Sequence, residues 1–163
     1  MTVFKNLFFS CLLLIIAGPL SAQGTQVAFG AIQDNNGLPV EVTADSLAID
    51  QNTGTAVFTD NVVIIQGEMR LSADKVDVFY DTQEQGIERI EATGNVILIS
   101  GADAAESERA TYDVDVGTIV MTGNVLVAQG PSALTADRMT VRMDNGTAQM
   151  TGRVKTTFQS GDK

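Results

Sequence analysis

"TDNVVIIQG" (59–67), "TGNVILISG" (93–101) and "TGNVLVAQG" (122–130) are three writings of one nine-residue phrase, and a looser copy, "TGRVKTTFQSG", occupies 151–161. Aligned on their Asn-Val or Arg-Val step, they place Asn61, Asn95, Asn124 and Arg153 at intervals of 34, 29 and 29. A second marker keeps the register: "TADSL", "SADKV", "SERA" and "TADRM" put Asp45, Asp74, Glu108 and Asp137 at intervals of 29, 34 and 29. Two markers with one spacing define a unit of about 29 residues, a period that signals a repeat architecture. The second unit is five residues longer, near "TQEQG", which reads as a longer turn.

Within a unit the apolar period is two. Leu47 and Ile49; Val76, Val78 and Tyr80; Ala110, Tyr112 and Val114; and Met139, Val141 and Met143 share one parity. Asp77, Thr111, Asp113, Thr140 and Arg142 take the other. That alternation belongs to strands with one face on a core and one in water. Turns follow at Gly54, Gly86, Gly117 and Gly146, where glycine supplies the positive φ of a tight hairpin. The next strand carries Ala56 and Phe58, Ile90 and Ala92, Ile119 and Met121, and Ala148 and Met150 inward. The Asp-Asn or Gly-Asn step of the phrase then marks a corner, after which Val62 and Ile64, Val96 and Leu98, Val125 and Val127, and Val154 and Phe158 continue the inward column. Each repeat is thus about two short strands bent at a corner of small residues, and four of them must stack to bury the column. "GLPVEV" (37–42) adds a partial strand ahead of the first unit, with Pro39 at its start.

The N-terminus lies outside this scheme. Lys5, the apolar run Leu7 to Ala17 and the small residues before Ala22 form a signal peptide over 1–22. The polar, glycine-rich stretch 23–36 reads as a flexible leader, and 37–160 as the folded domain, with a frayed tail at the final "SGDK". Cys11, the single cysteine, leaves with the signal, so no disulfide can form. Loss of Lys5 also takes the formal charge from −10 to −11, a surface that excludes nucleic acid as a partner.

Catalysis has little to work with. Without histidine or a retained cysteine the chain builds neither a Ser or Cys triad nor a common zinc site, so no enzyme activity, metal or cofactor is expected. Asp45, Asp74, Glu108 and Asp137 sit where strands begin, and four repeat-equivalent acids fit turn capping better than the facing acid pair of a glycosidase. Tyr80 and Tyr112 have the inward parity of core residues rather than of a sugar platform.

Bent β-units in which "SADKV" is followed at strand spacing by "TGNVILISG" and "TGNVLVAQG", behind a cleaved signal, resemble the OstA/LptA family of periplasmic lipopolysaccharide-transport proteins. The resemblance covers Val40 to Phe158. It implies an all-β, twisted, open β-jellyroll whose groove holds the acyl chains of lipopolysaccharide. It also implies passage from an inner-membrane-anchored partner to an outer-membrane translocon, with head-to-tail joining through the strands "GLPVEV" and "RVKTTFQ". The lining expected is Val40, Val42, Phe58, Ile64, Val78, Leu98, Tyr112, Val114, Met121, Val127 and Val141, all of inward parity. Val40, Val42, Leu98, Tyr112 and Val114 match the family's lipid-contacting pattern most directly. The alternative is a structural β-solenoid of the envelope, with a closed core and no ligand.

Overall fold

Period-two alternation leaves the chain one way to fold, and every regular element among the described residues is a strand. The structure is a computed structural model that describes residues 25–29, 38–81 and 86–158. In chain order the strands are β1 (Thr25–Ala28), β2 (Glu41–Thr43), β3 (Ser46–Asp50), β4 (Thr55–Gln66), β5 (Met69–Tyr80) and β6 (Ile87–Ser100). There follow β7 (Asp103–Asp113), β8 (Thr118–Gln129), β9 (Ser132–Arg142), β10 (Thr147–Thr151) and β11 (Lys155–Thr157). They form one antiparallel sheet in the order β1-β10-β9-β8-β7-β6-β5-β4-β2, with β3 also on β4 and β11 also on β9.

The sheet is creased across its middle. At the crease β4, β6 and β8 spend two residues where the neighbouring strand spends one, so the register slips between Thr59 and Val62, Thr93 and Val96, and Thr122 and Val125. The extra residues are the corner steps of the repeated phrase, and both residues of each are left-handed. Asp60 and Asn61 have φ of 63° and 50°, Gly94 and Asn95 78° and 47°, and Gly123 and Asn124 85° and 48°. Gly152 and Arg153, at 77° and 42°, make the same corner between β10 and β11. Glycine and asparagine adopt this region at little cost, and a bulge there bends the strand.

The two repeat markers meet at the crease. Asn61 Nδ2 donates to Asp45 Oδ2 at 2.7 Å, Asn95 Nδ2 to Asp74 Oδ2 at 2.8 Å, and Asn124 Nδ2 to Glu108 Oε1 at 2.7 Å. Arg153 replaces the asparagine in the fourth unit and binds Asp137 through Nε and a terminal nitrogen. The recurring acids are therefore structural partners of the corners, as their repetition indicated. Their expected place at strand starts needs correction: Asp74, Glu108 and Asp137 lie mid-strand in β5, β7 and β9, because the crease runs through those strands instead of separating two of them.

Bending folds the sheet into two leaves. Leaf 1 holds residues 46–59, 75–81, 86–93, 109–122 and 138–151 with β1, and leaf 2 holds 41–43, 62–73, 96–107, 125–136 and 155–157. Their inner faces share one apolar core from Ala56 to Met150, and Phe29 is fully buried in it. Every methionine after Met1 is in this core: Met69, Met121, Met139, Met143 and Met150.

The 23–36 leader departs from expectation within its described part. Thr25–Ala28 pairs antiparallel with β10, from Thr25 opposite Met150 to Ala28 opposite Thr147, and the Phe29 amide donates to the Gly146 carbonyl at 3.2 Å. An edge strand of leaf 1 supplied the backbone partners, and burial of Phe29 supplied the apolar gain. Residues 1–24, 30–37, 82–85 and 159–163, on which the expected signal peptide, the rest of the leader, the longer turn and the frayed tail fall, lie outside the described residues.

Candidate functional site

The space between the leaves is the one place where all inward columns converge, and all eleven candidate residues face it. Ile64, Val78, Leu98, Tyr112, Met121, Val127 and Val141 are buried in the core, while Val40, Val42, Phe58 and Val114 are half-buried and packed against it. Val40 precedes β2, and Val42 pairs across to Ile64. The column is uncovered at its β3 end, where Leu47 is 52% and Ile49 66% exposed opposite Phe58 and Ala56. Tyr80, also of inward parity, lies at the end of β5 and is 43% exposed. At the other end Phe158, beyond β11, is exposed.

Reading by strand pairs missed much of leaf 2. Met69, Leu71 and Ala73 of β5, Ala105 and Ser107 of β7, and Leu134 and Ala136 of β9 all face inward. Their alternation was present in the sequence, but the polar "SAD" and "TAD" steps after it looked like strand starts.

The edges away from the crease differ in chemistry. Leaf 1 ends in Tyr80, Val114 and Met143, which are apolar or aromatic. Leaf 2 ends in a row that runs strand to strand through Gln66, Met69, Ser100, Asp103, Gln129 and Ser132. Gln66 and Ser100 are buried. Gln66, Ser100 and Gln129 each stand just before the last glycine of the phrase, on the parity of the apolar column. That repetition was a visible signal for a polar lip.

The leaves touch along this lip. The Tyr112 hydroxyl reaches from leaf 1 to Gln66 Oε1 at 3.5 Å, the long limit of a hydrogen bond, and Gln66 Nε2 donates to the Leu38 carbonyl at 3.0 Å. Gln129 Nε2 donates to the Ala28 carbonyl at 2.8 Å and to Asp103 Oδ2 at 2.9 Å. Burial pushes the Tyr112 phenol above its ordinary 10.0, with the Gln66 contact pulling the other way and Asp113 adding to the rise. It stays a neutral hydroxyl at physiological pH. At the crease, the Arg153 hydrogen bond holds the Asp137 carboxyl below its ordinary 3.8. The described residues contain no cluster of metal-ligating side chains. The hollow of about 320 Å³ at the crease, bounded by Asn124, Asp137, Arg153 and Lys155, is a surface cleft left by the bulge and is distinct from the inter-leaf space.

Residues 41–147 match the family described as LptA/(LptD N-terminal domain) LPS transport protein, and residues 104–161 match it a second time. The chain belongs to the LptA/LptD N-terminal domain family. The overlap of two matches is what a repeated unit produces. Among relatives in this family or similar to it, an uncharacterized protein of Rhizobium meliloti (R00383) is 32% identical over 112 residues, covering 64% of this chain and 60% of that protein. The lipopolysaccharide export system protein LptA of Escherichia coli K12 is 31% identical over 81 residues, covering 50% and 43%. The LPS-assembly protein LptD of Salmonella choleraesuis is 41% identical over 66 residues, covering 39% of this chain and 8% of that one. The chain thus spans less than two thirds of the length of these curated relatives. The crystal structure of LptH from Pseudomonas aeruginosa, the LptA homologous periplasmic component of its lipopolysaccharide transport device, superposes with a TM-score of 0.69 at 19% identity. The match covers 77% of this chain and 99% of that one, and fixes the open jellyroll fold of the LptA/LptD N-terminal domain family.

Proposed function

We propose that the chain is a non-enzymatic periplasmic carrier that holds the acyl chains of lipopolysaccharide between its leaves and passes the lipid from the inner toward the outer membrane. The observation that carries this reading is an apolar inner face continuous from β2 to β10, in a member of a lipopolysaccharide-transport family. Each methylene moved from water onto such a face gains ~0.8 kcal/mol, so an acyl chain of a dozen carbons gains about 10 kcal/mol before costs. Taking lipid requires the leaves to part and the core to repack, and five flexible methionines beside small Ala56, Ala92, Ala105, Ala110, Ala136 and Ala148 suit that exchange. Val40, Val42, Leu98, Tyr112 and Val114 are the favoured contacts. Terminal strands β2, β3 and β11 each pair on one side only among the described residues, and are the edges through which copies or pathway partners would join.

A photo-crosslinker tests this reading in the cell. Placed at Leu98 or Tyr112 it captures lipopolysaccharide, and placed at the outward neighbours Ile97 or Thr111 it captures little. Ile97 is the sharper control, being apolar on the wrong face. Equal capture at Leu98 and Ile97 would sink the groove. The second reading, a closed envelope β-protein without ligand, is favoured by full burial of Leu98, Met121, Val127 and Val141. It predicts no lipid in mass spectra of the protein purified from its own envelope.

A further inference from the structure

The lip of leaf 2 holds a polar group that the fold leaves unused. Ser100 is 0% exposed on the inward face of β6, and its Oγ has no hydrogen-bond partner. An unmet buried hydroxyl is rare in a settled structure, because it has given up water for nothing. The Tyr112 hydroxyl, buried on leaf 1, is nearly in the same state at 3.5 Å from Gln66. Gln66, Ser100 and Gln129 lie on β4, β6 and β8, so the repeat presents a hydrogen-bonding side chain at every second strand, ~10 Å apart. They stand where the apolar column ends, at the height where the apolar part of a bound amphiphile meets its polar part.

Charge decides what that polar part is. Arg70, Lys75, Arg89, Arg109, Arg138, Arg142 and Lys155 all take outward parity, and Arg153 is at the crease, so among the described residues no cation faces the inter-leaf space. The lip's carboxylate, Asp103, already accepts from Gln129. An anionic group seated here would find a carboxylate and no counter-charge, and a quaternary ammonium, though attracted by that carboxylate, offers neither donor nor acceptor to the Ser100 hydroxyl.

From this we infer that the lip is a selectivity site for neutral hydrogen-bonding groups, such as amides and hydroxyls, at the root of an acyl chain, with Ser100 and Tyr112 as the direct contacts. Any phosphates on the ligand are then held clear of the lip. The inference rests on the carrier reading above and adds the chemistry of the polar-apolar junction.

Three amphiphiles with one twelve-carbon chain test it: dodecyl maltoside, dodecyl phosphate and dodecyltrimethylammonium, titrated calorimetrically into the purified protein below their micellar concentrations. The maltoside is expected to bind at least tenfold more tightly than either charged probe. Ser100→Ala should cut that preference several-fold, leave dodecyl phosphate binding unchanged and leave the thermal midpoint equal or higher. Tyr112→Phe should act in the same direction. Chain-dependent binding with no head-group preference, or a preference untouched by both variants, overturns the selectivity site while leaving the carrier intact. Failure of all three probes to bind, or affinity indifferent to shortening the chain to eight carbons, overturns the carrier reading and this inference with it.

Discussion

Replacing Gly123 by alanine probes the crease directly, because two separate penalties meet there. Gly123 has φ of 85°, which costs a residue with a Cβ about 1–2 kcal/mol. A Cβ at that position also lies 2.8 Å from the Glu108 Cβ and Cδ, well inside van der Waals contact, and relief of such crowding costs about 1–3 kcal/mol. Gly123→Ala should therefore destabilise by roughly 2–5 kcal/mol, and a loss near 3 kcal/mol lowers the thermal midpoint by roughly 6–12 °C in a domain of this size. Glu108→Ala alone loses the bond from Asn124 and should cost about 0.5–1.5 kcal/mol. In the double variant the contacts with the carboxyl end are gone while the Cβ–Cβ contact at 2.8 Å stays, so its cost should fall below the sum of the single changes by about 0.5 kcal/mol or more. Urea unfolding followed by circular dichroism measures all four proteins, provided the slope is constant across them. Strict additivity, or a Gly123→Ala loss under about 0.5 kcal/mol, would refute the idea that crowding against Glu108 keeps this position glycine.

Leu98→Ala, at a fully buried site, should cost about 2–5 kcal/mol by urea unfolding, whereas Ile49→Lys at the exposed end of β3 should stay within about 0.5 kcal/mol of the parent. The raised Tyr112 phenol favours the folded protein fully below its ordinary 10.0, and that contribution is lost as pH rises through the higher folded value; Tyr112→Phe should flatten the fall in urea midpoint above about pH 10. The Asp137 carboxyl shifts the other way, so its contribution is present above 3.8 and disappears as pH falls through the lower folded value; Arg153→Met should return its titration, followed by NMR, toward 3.8. A proline at Val42 or Thr156 should abolish concentration-dependent association, and unchanged sedimentation of both variants would remove those strands from the joint.

The four corner steps, the inward parity of the eleven candidate residues and the all-β class could be read from the sequence because each depends on local chemistry: left-handed pairs rich in glycine and asparagine, and strict alternation. What could not be read depends on contacts distant in the chain. Strand β1 exists because Thr25 to Ala28 finds β10 more than a hundred residues away, and nothing in "TQVAF" announces that edge. The path of β5, β7 and β9 straight through Asp74, Glu108 and Asp137 was hidden for a related reason. An acid after an apolar stretch looks like the start of a new strand until the facing asparagine or arginine that satisfies it is placed. The lip was legible and overlooked: Gln66, Ser100 and Gln129 recur in phase, but a polar residue before glycine reads as turn chemistry unless its parity is counted.

The crease makes trough length a countable quantity. Each 29-residue unit lays down two strands, adding ~10 Å along the trough and about 40–50° of twist. Every corner is closed by an acid and a donor from neighbouring segments, as with Asp74 and Asn95 or Glu108 and Asn124, so a duplicated unit brings its own closure. The cross-section, set by the few inward residues between crease and lip, stays constant while the length grows in fixed steps. A gene that duplicates one unit would lengthen the trough without redesigning its cross-section.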